Sequence, residues 1–171
     1  MKTIYFIRHG KSSWDFAGLD HDRPLNTRGF IDADLIGKAL KKENISVQAV
    51  YSSSANRAET TARIVSENIE FPLYLIKVKK ELYNFEAEEV LKQIYTFSDD
   101  YNSVMMFGHN TAFSTLVNSL GSEALFNLPT SGVVSISFKE DKWSKIKVGK
   151  TNFSLFPKNL RLSLIHISEP T

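Results

Sequence analysis

The sequence predicts an α/β fold, a three-layer sandwich with a mostly parallel central sheet flanked by helices. Three observations lead there. Short runs rich in β-branched and aromatic residues alternate with longer segments whose apolar residues recur at helical spacing. Polar, turn-forming residues punctuate most of these switches, the pattern of repeated βα units. The length of 171 residues suits one domain of this kind.

Each element follows in order. Residues 3–7, Thr-Ile-Tyr-Phe-Ile, read as a buried first strand. A polar loop follows, with Trp14, Asp20, His21, Asp22 and the turn-prone Arg23-Pro24-Leu25-Asn26. Thr27 suits an N-cap, and Ile31, Leu35, Ile36, Ala39 and Leu40 form one apolar face of a helix over 28–43. Residues 47–51 read as a second strand, Ser52-Ser53-Ser54 as a turn, and Ser54 as the cap of a helix reaching residue 68. A third strand is expected at 73–78 and a helix at 86–97, with Val90, Leu91 and Ile94 inward. Residues 103–107 form a fourth strand that ends at Gly108-His109. Asn110 is expected to cap a helix carrying Phe113, Leu116, Val117 and Leu120, and 132–138 with 145–148 a closing hairpin.

Composition excludes several classes. Hydrophobic residues make up 42% and charged residues 23%, which is globular composition rather than disorder or coiled coil. A net charge of +2 carries no nucleic-acid or membrane footprint. With no cysteine there is no disulfide framework, thiolate metal site or cysteine nucleophile. No carboxylate cluster has metal-ligand spacing, so no metal or cofactor is expected. The start of the chain runs directly into a strand without a signal-peptide pattern, so a cytoplasmic location is expected. Nothing suggests a large apolar interface, and a monomer is expected.

Three segments carry chemistry. Arg8-His9-Gly10 follows the first strand directly, where ligand sites of parallel sheets lie. Gly108-His109-Asn110 repeats the arrangement after the fourth strand, beside a helix start whose free N–H groups favour anions. Arg57 falls in the first turn of the helix after the second strand, where a cation is mildly disfavoured unless an anion sits beside it. Arg8 and Arg57 could then clamp one phosphate, for which planar guanidinium groups are suited.

With Asp22-Arg23-Pro24-Leu25-Asn26, Gly29, Arg57-Ala58-Glu59-Thr60-Thr61-Ala62, Glu81-Leu82-Tyr83 and Pro129-Thr130-Ser131-Gly132, these segments resemble the histidine phosphatase superfamily. The fold implied is phosphoglycerate-mutase-like, and the resemblance is to the small SixA-type phosphohistidine phosphatases. It covers residues 1–161. Proline is frequent in the family where this chain has Ser54 and Thr111.

Carried over by position, His9 is the nucleophile that becomes phosphohistidine. Arg8, Arg57 and His109 surround the phosphoryl oxygens, His109 contributing most if protonated. Glu81 is the positional candidate for the general acid, and Lys11, Ser12 and Asn110 are candidate phosphate or substrate contacts. His21 is expected to be solvated, and Trp14 and Phe16 to pin their loop to the core. The partner implied is a phosphorylated protein or a small phosphorylated molecule. Short connections and no obvious lid leave an open site that fits a phosphohistidine on a protein surface or a broad small-molecule specificity, and disfavour a phosphoglycerate mutase. A protein phosphohistidine phosphatase is the first reading and a broad small-molecule phosphomonoesterase the alternative. A non-catalytic phosphoprotein-binding module is disfavoured because all four site residues are present. Residues 162–171 have no place in the alternation and read as a translated sequencing-adapter tail.

Overall fold

Period-two alternation along the first strand sets up the layers. Ile4 and Phe6 are buried on one face of the sheet and Ile7 on the other. The computed structural model describes residues 1–168, with side chains as far as residue 163. Its elements are β1 (Lys2–Arg8), α1 (Thr27–Lys42), β2 (Ala49–Ser53), α2 (Asn56–Asn68), β3 (Lys77–Lys79), α3 (Ala87–Ile94), β4 (Ser103–Gly108), α4 (Ala112–Leu120), β5 (Val133–Phe138), β6 (Lys150–Leu155) and α5 (Pro157–Ser168). The sheet order is β3-β2-β4-β1-β5-β6. The first four strands in that order run parallel, and β5 and β6 are antiparallel to their neighbours.

Each face has its own core. On one, Val104 and Met106 of β4 join Ile4 and Phe6 beneath Val90 and Ile94 of α3 and Phe113, Leu116 and Val117 of α4. On the other, Met105 and Phe107 join Ile7 and Val50 beneath Ile36 and Leu40 of α1 and Ala62 and Val65 of α2. Fully burying each large apolar side chain contributes roughly 1.5–3 kcal/mol. The expected three-layer α/β sandwich is therefore the observed architecture.

Several local expectations are corrected. Asn26, not Thr27, caps α1: its side chain accepts from the Gly29 amide at 2.8 Å. Ser52 and Ser53 continue β2 rather than turning, and Ala55, not Ser54, precedes α2. The predicted strand at 73–78 is a 3-10 turn, Leu73–Leu75, followed by the three-residue β3. As an edge strand with two exposed lysines, β3 is short and charged, which guards an edge against mispairing. The helix expected at 86–97 is confined to α3; Thr111 immediately precedes α4, but it is the Asn110 side chain that caps it, as expected, accepting from the Ser114 amide at 3.1 Å. The last strand begins at Lys150, not residue 145, because Trp143 anchors a 3-10 turn in the core with its indole N–H donating to the Tyr101 carbonyl at 2.9 Å. α5 continues across the boundary expected after residue 161, and residues 169–171 of the proposed tail lie outside the described residues.

Candidate active site

Strand register brings the two histidine segments together. β1 and β4 pair so that Arg8 lies opposite Gly108, and the His9 amide donates to the Gly108 carbonyl at 3.1 Å. His9 and His109 therefore emerge side by side, with ring centroids 5.2 Å apart. Gly10 has no room for a side chain, since a Cβ there would lie 3.0 Å from the Gly29 carbonyl oxygen and 3.1 Å from Ser131 Oγ. At Gly29 a Cβ would lie 2.1 Å from the Lys11 carbonyl oxygen, so only glycine lets the first turn of α1 pack on the loop leaving β1. Thr61 ties that loop to α2: its hydroxyl accepts from the Gly10 amide at 2.9 Å and donates to the Arg57 carbonyl at 2.7 Å.

These segments frame a pocket of about 550 Å³ at the carboxyl ends of the parallel strands. Arg8, His9 and Arg57 line it, as do Lys11, Ser12 and Asn110 from the sequence-derived set. His109 is buried directly behind, its ring 5.4 Å from that of Tyr83 and 5.1 Å from that of Phe85. Glu81 is exposed in the 3-10 turn Lys80–Leu82 and is not part of the lining.

The two imidazoles are bonded differently. His9 Nδ1 lies 2.7 Å from the Gly10 carbonyl oxygen, which can only accept, so the proton resides on Nδ1 and Nε2 keeps its lone pair. His109 instead uses Nε2, 2.8 Å from Ser53 Oγ. Ser53 Oγ accepts from the Ala55 amide at 3.1 Å, and among the described residues its own hydrogen has no acceptor other than His109 Nε2. The His109 proton then sits on Nδ1, a buried N–H without a protein acceptor among the described residues.

Burial is the main cause that pushes His9 down to about 3, reinforced by the charges of Arg57, Arg8 and Arg23 and opposed by the bond to Gly10. Burial likewise pushes His109 down to about 2, with further lowering by His9 and Arg57. The contribution of His109 was expected to be greatest if protonated; burial works against that charge and favours the neutral N–H form. The Arg8 guanidinium is lowered by burial and then by the nearby Arg57 charge. Its Nη1 donates to the Leu128 carbonyl at 3.1 Å, while its Nε and that of Arg57 are buried without partners among the described residues. Crowded cations with unused buried donors form a site for an oxyanion.

The anion expected beside Arg57 is in part supplied by the protein. Asp20 accepts from Arg57 Nη1 through its backbone carbonyl at 2.8 Å and from Nη2 through its carboxylate at 3.1 Å. The same carboxylate accepts from Arg23 at 2.8 Å and from the Tyr83 hydroxyl at 2.5 Å. The Tyr83 hydroxyl and the Arg23 guanidinium together hold the Asp20 carboxyl far below its usual range. Arg23 also bonds Ser12 Oγ and lies over the Trp14 ring, 3.9 Å from its centroid. The sequence signal for this hub is the run of charges in the 20–23 segment, but nothing local says which partner each charge finds.

Two loop expectations change as well. His21 is held rather than freely solvated, with Nδ1 3.1 Å from Asp22 Oδ1 and Nε2 2.9 Å from Ser54 Oγ. Trp14 does not pin its loop to the core: it is 82% exposed and lines the pocket mouth.

Comparison with known proteins gives three kinds of match. The sequence profile of the Histidine phosphatase superfamily (branch 1) matches residues 4–88. The structure of the protein histidine phosphatase SixA complexed with tungstate superposes with a TM-score of 0.78 at 26% identity, over 92% of this chain and 99% of that one. An uncharacterised protein of Mycobacterium tuberculosis is 29% identical over 153 residues, 84% of this chain and 93% of its own length. A 2,3-bisphosphoglycerate-dependent phosphoglycerate mutase of Bartonella bacilliformis is 35% identical over 80 residues, 44% of this chain and 39% of its own.

Proposed function

The chain belongs to the histidine phosphatase superfamily and is a phosphate-hydrolysing enzyme, and from that premise we propose that it removes phosphoryl groups from protein phosphohistidine through a covalent intermediate on His9. The observation that carries this reading is the hydrogen bond from His9 Nδ1 to the Gly10 carbonyl. It fixes the tautomer, and His9 lines the pocket with Nε2 free of any hydrogen bond among the described residues. A ring held neutral by burial keeps its lone pair available for attack near neutral pH.

In the first step His9 Nε2 attacks phosphorus, and the P–N bond of the substrate breaks. The substrate ring enters as an N-phosphorylated imidazolium, its other nitrogen already protonated, so it takes back the P–N electron pair and leaves as neutral imidazole. The proton on His9 Nδ1 stays in place, bonded to Gly10, so phospho-His9 is an N-phosphorylated imidazolium. In the second step water attacks phosphorus, the P–Nε2 bond breaks, and neutral His9 and inorganic phosphate are regenerated. The water proton passes to a phosphoryl oxygen or to solvent. Arg8 and Arg57, through donors that include their unpartnered Nε–H groups, and His109 through Nδ1–H stabilise charge on the equatorial oxygens. A bound dianion also favours protonation of His109, which would strengthen that bond.

The leaving group supports the substrate class. The pocket lining contains no carboxyl group, and Glu81 lies outside it. An alkoxide would need a proton donor there, whereas a phosphohistidine ring already protonated on its other nitrogen leaves as neutral imidazole without one.

The test compares hydrolysis of phosphohistidine and of an alkyl phosphate in the presence of a chelator, by the parent chain and by His9→Ala. The expected result is chelator-insensitive, phosphoramidate-selective turnover that disappears with His9. A strong preference for the alkyl phosphate would move the reading to a small-molecule phosphomonoesterase. Retained activity in His9→Ala would remove the covalent intermediate.

A further inference from the structure

The helices differ in charge. α1 carries Arg28, Asp32, Asp34, Lys38, Lys41 and Lys42, α2 carries Arg57, Glu59, Arg63 and Glu67, and α3 carries Glu88, Glu89 and Lys92. α4 carries none. Between residues 101 and 138 the sole Asp, Glu, Lys or Arg is Glu123, in a chain that is 23% charged. Burial accounts for the strands in that interval. It does not account for the outward face of α4, where Thr111, Thr115, Asn118 and Ser119 are exposed.

That uncharged face borders a groove of about 600 Å³ whose other wall includes Phe126, which is fully exposed. The loop bearing Phe126 is held on both sides. Asn118 accepts from the Leu125 amide at 2.7 Å and donates to the Leu125 carbonyl at 2.6 Å, and Ser114 Oγ accepts from the Leu128 amide at 2.9 Å. Phe126 is thus an aromatic side chain presented to solvent on a fastened backbone, which lowers the ordering cost of binding through it. Depletion of charge around an aromatic anchor is the composition of an interface centre.

The groove adjoins the catalytic pocket through neighbouring residues. Asn110 lines the pocket, and the next residue, Thr111, lines the groove. Asn110 Nδ2 also donates to Asn127 Oδ1, beside Phe126, at 2.9 Å. Charges divide along the same line, with cations at the pocket to match a phosphoryl dianion and an uncharged surface beyond it. The geometry points to this face as the docking surface for the substrate protein, which sets an uncharged, apolar patch beside its phosphorylated side chain against Phe126 and α4. The inference rests on the phosphatase reading above and adds to it where the macromolecular part of the substrate binds.

The probe is a histidine phosphocarrier protein phosphorylated with potassium phosphoramidate, compared with free phosphohistidine. The variants are Phe126→Asp and Thr115→Arg, both exposed and outside the catalytic pocket. The expected result is a loss of at least about tenfold in kcat/KM toward the phosphoprotein, carried by KM, with free phosphohistidine turned over at the parental rate. That unchanged rate also shows that the variants are folded. Equal loss on both substrates, or loss on neither, overturns the inference. So does a dimeric parent that Phe126→Asp renders monomeric with both activities intact, since the face then belongs to a second copy. A parent that hydrolyses free phosphohistidine but not the phosphoprotein overturns the docking surface and leaves the chemistry standing. A parent inactive on both overturns the phosphatase reading itself.

Discussion

His9 and His109 stand at the ends of neighbouring parallel strands, each beside a glycine, yet they are wired in opposite senses. His9 gives its Nδ1 proton to its own backbone at Gly10, keeping Nε2 as a free lone pair. His109 gives Nε2 to Ser53, a side chain on another strand, keeping Nδ1–H as a buried donor without a partner. One arrangement suits the nucleophile we propose and the other a hydrogen-bond donor, although the local sequences are near mirror images. Position at a strand end sets where an imidazole sits; the atom that holds its other nitrogen sets what it does.

The largest test of that difference is removal of each ring. His9→Ala is expected to lower kcat for phosphohistidine by about 10⁴-fold or more, the scale for loss of a nucleophile. His109→Ala is expected to cost about 10²–10³-fold, the scale for one transition-state donor. Steady-state kinetics on both variants breaks the comparison if the losses are equal or reversed.

The two rings share one property, resistance to protonation, and it sharpens the comparison through stability. Both are lowered from about 6.5 in the unfolded chain, to about 3 for His9 and about 2 for His109. As pH falls below about 6.5 the unfolded chain takes up protons at these positions while the folded chain does not. Stability therefore falls with falling pH across that window, by about 1.4 kcal/mol per pH unit for each ring at most. Denaturant unfolding at pH 7 and pH 5 is expected to show a smaller drop for the His9→Gln, His109→Gln double variant than for the parent.

A smaller effect is expected from Asp20→Asn. It weakens the ion pairs to Arg57 and Arg23 while keeping the shape of the side chain. An approximately tenfold fall in kcat is expected, with Asp20→Glu recovering part of it; equal activity would show that Arg57 needs no protein anion to hold it. The smallest is Ser53→Ala, which removes the partner of His109 Nε2 without touching His9. A loss of about 1 kcal/mol, the worth of one neutral hydrogen bond, corresponds to roughly fivefold in kcat. A loss as large as that of His109→Ala would make Ser53 the group that decides the His109 tautomer.

Much of this site was legible from short motifs because strand and helix signals are local. Alternating apolar residues at 3–7 place Arg8-His9-Gly10 at a strand end, and the structure extends that strand by one residue at each side. Gly29 was legible as part of a motif but not as the contact point of α1 with the Lys11 backbone. Glu81 was drawn toward the chemistry by its position after a strand, yet the 3-10 turn that carries it leaves it outside the pocket. Trp14 was assigned to the core because a large aromatic is usually buried; here Arg23 stacks on it in the open.

By itself the sequence determined the layers and the alternation of strands and helices, and it brought forward Arg8, His9, Arg57 and His109 as candidates. These follow from periodicity, turn chemistry and residue type, which act over a few neighbouring positions. Only the tertiary structure decided the β1–β4 register that sets the two rings 5.2 Å apart, the nitrogen each ring leaves free, and the carboxylate of Asp20 that braces Arg57. Those depend on contacts between residues distant along the chain, which packing selects and which no local pattern encodes.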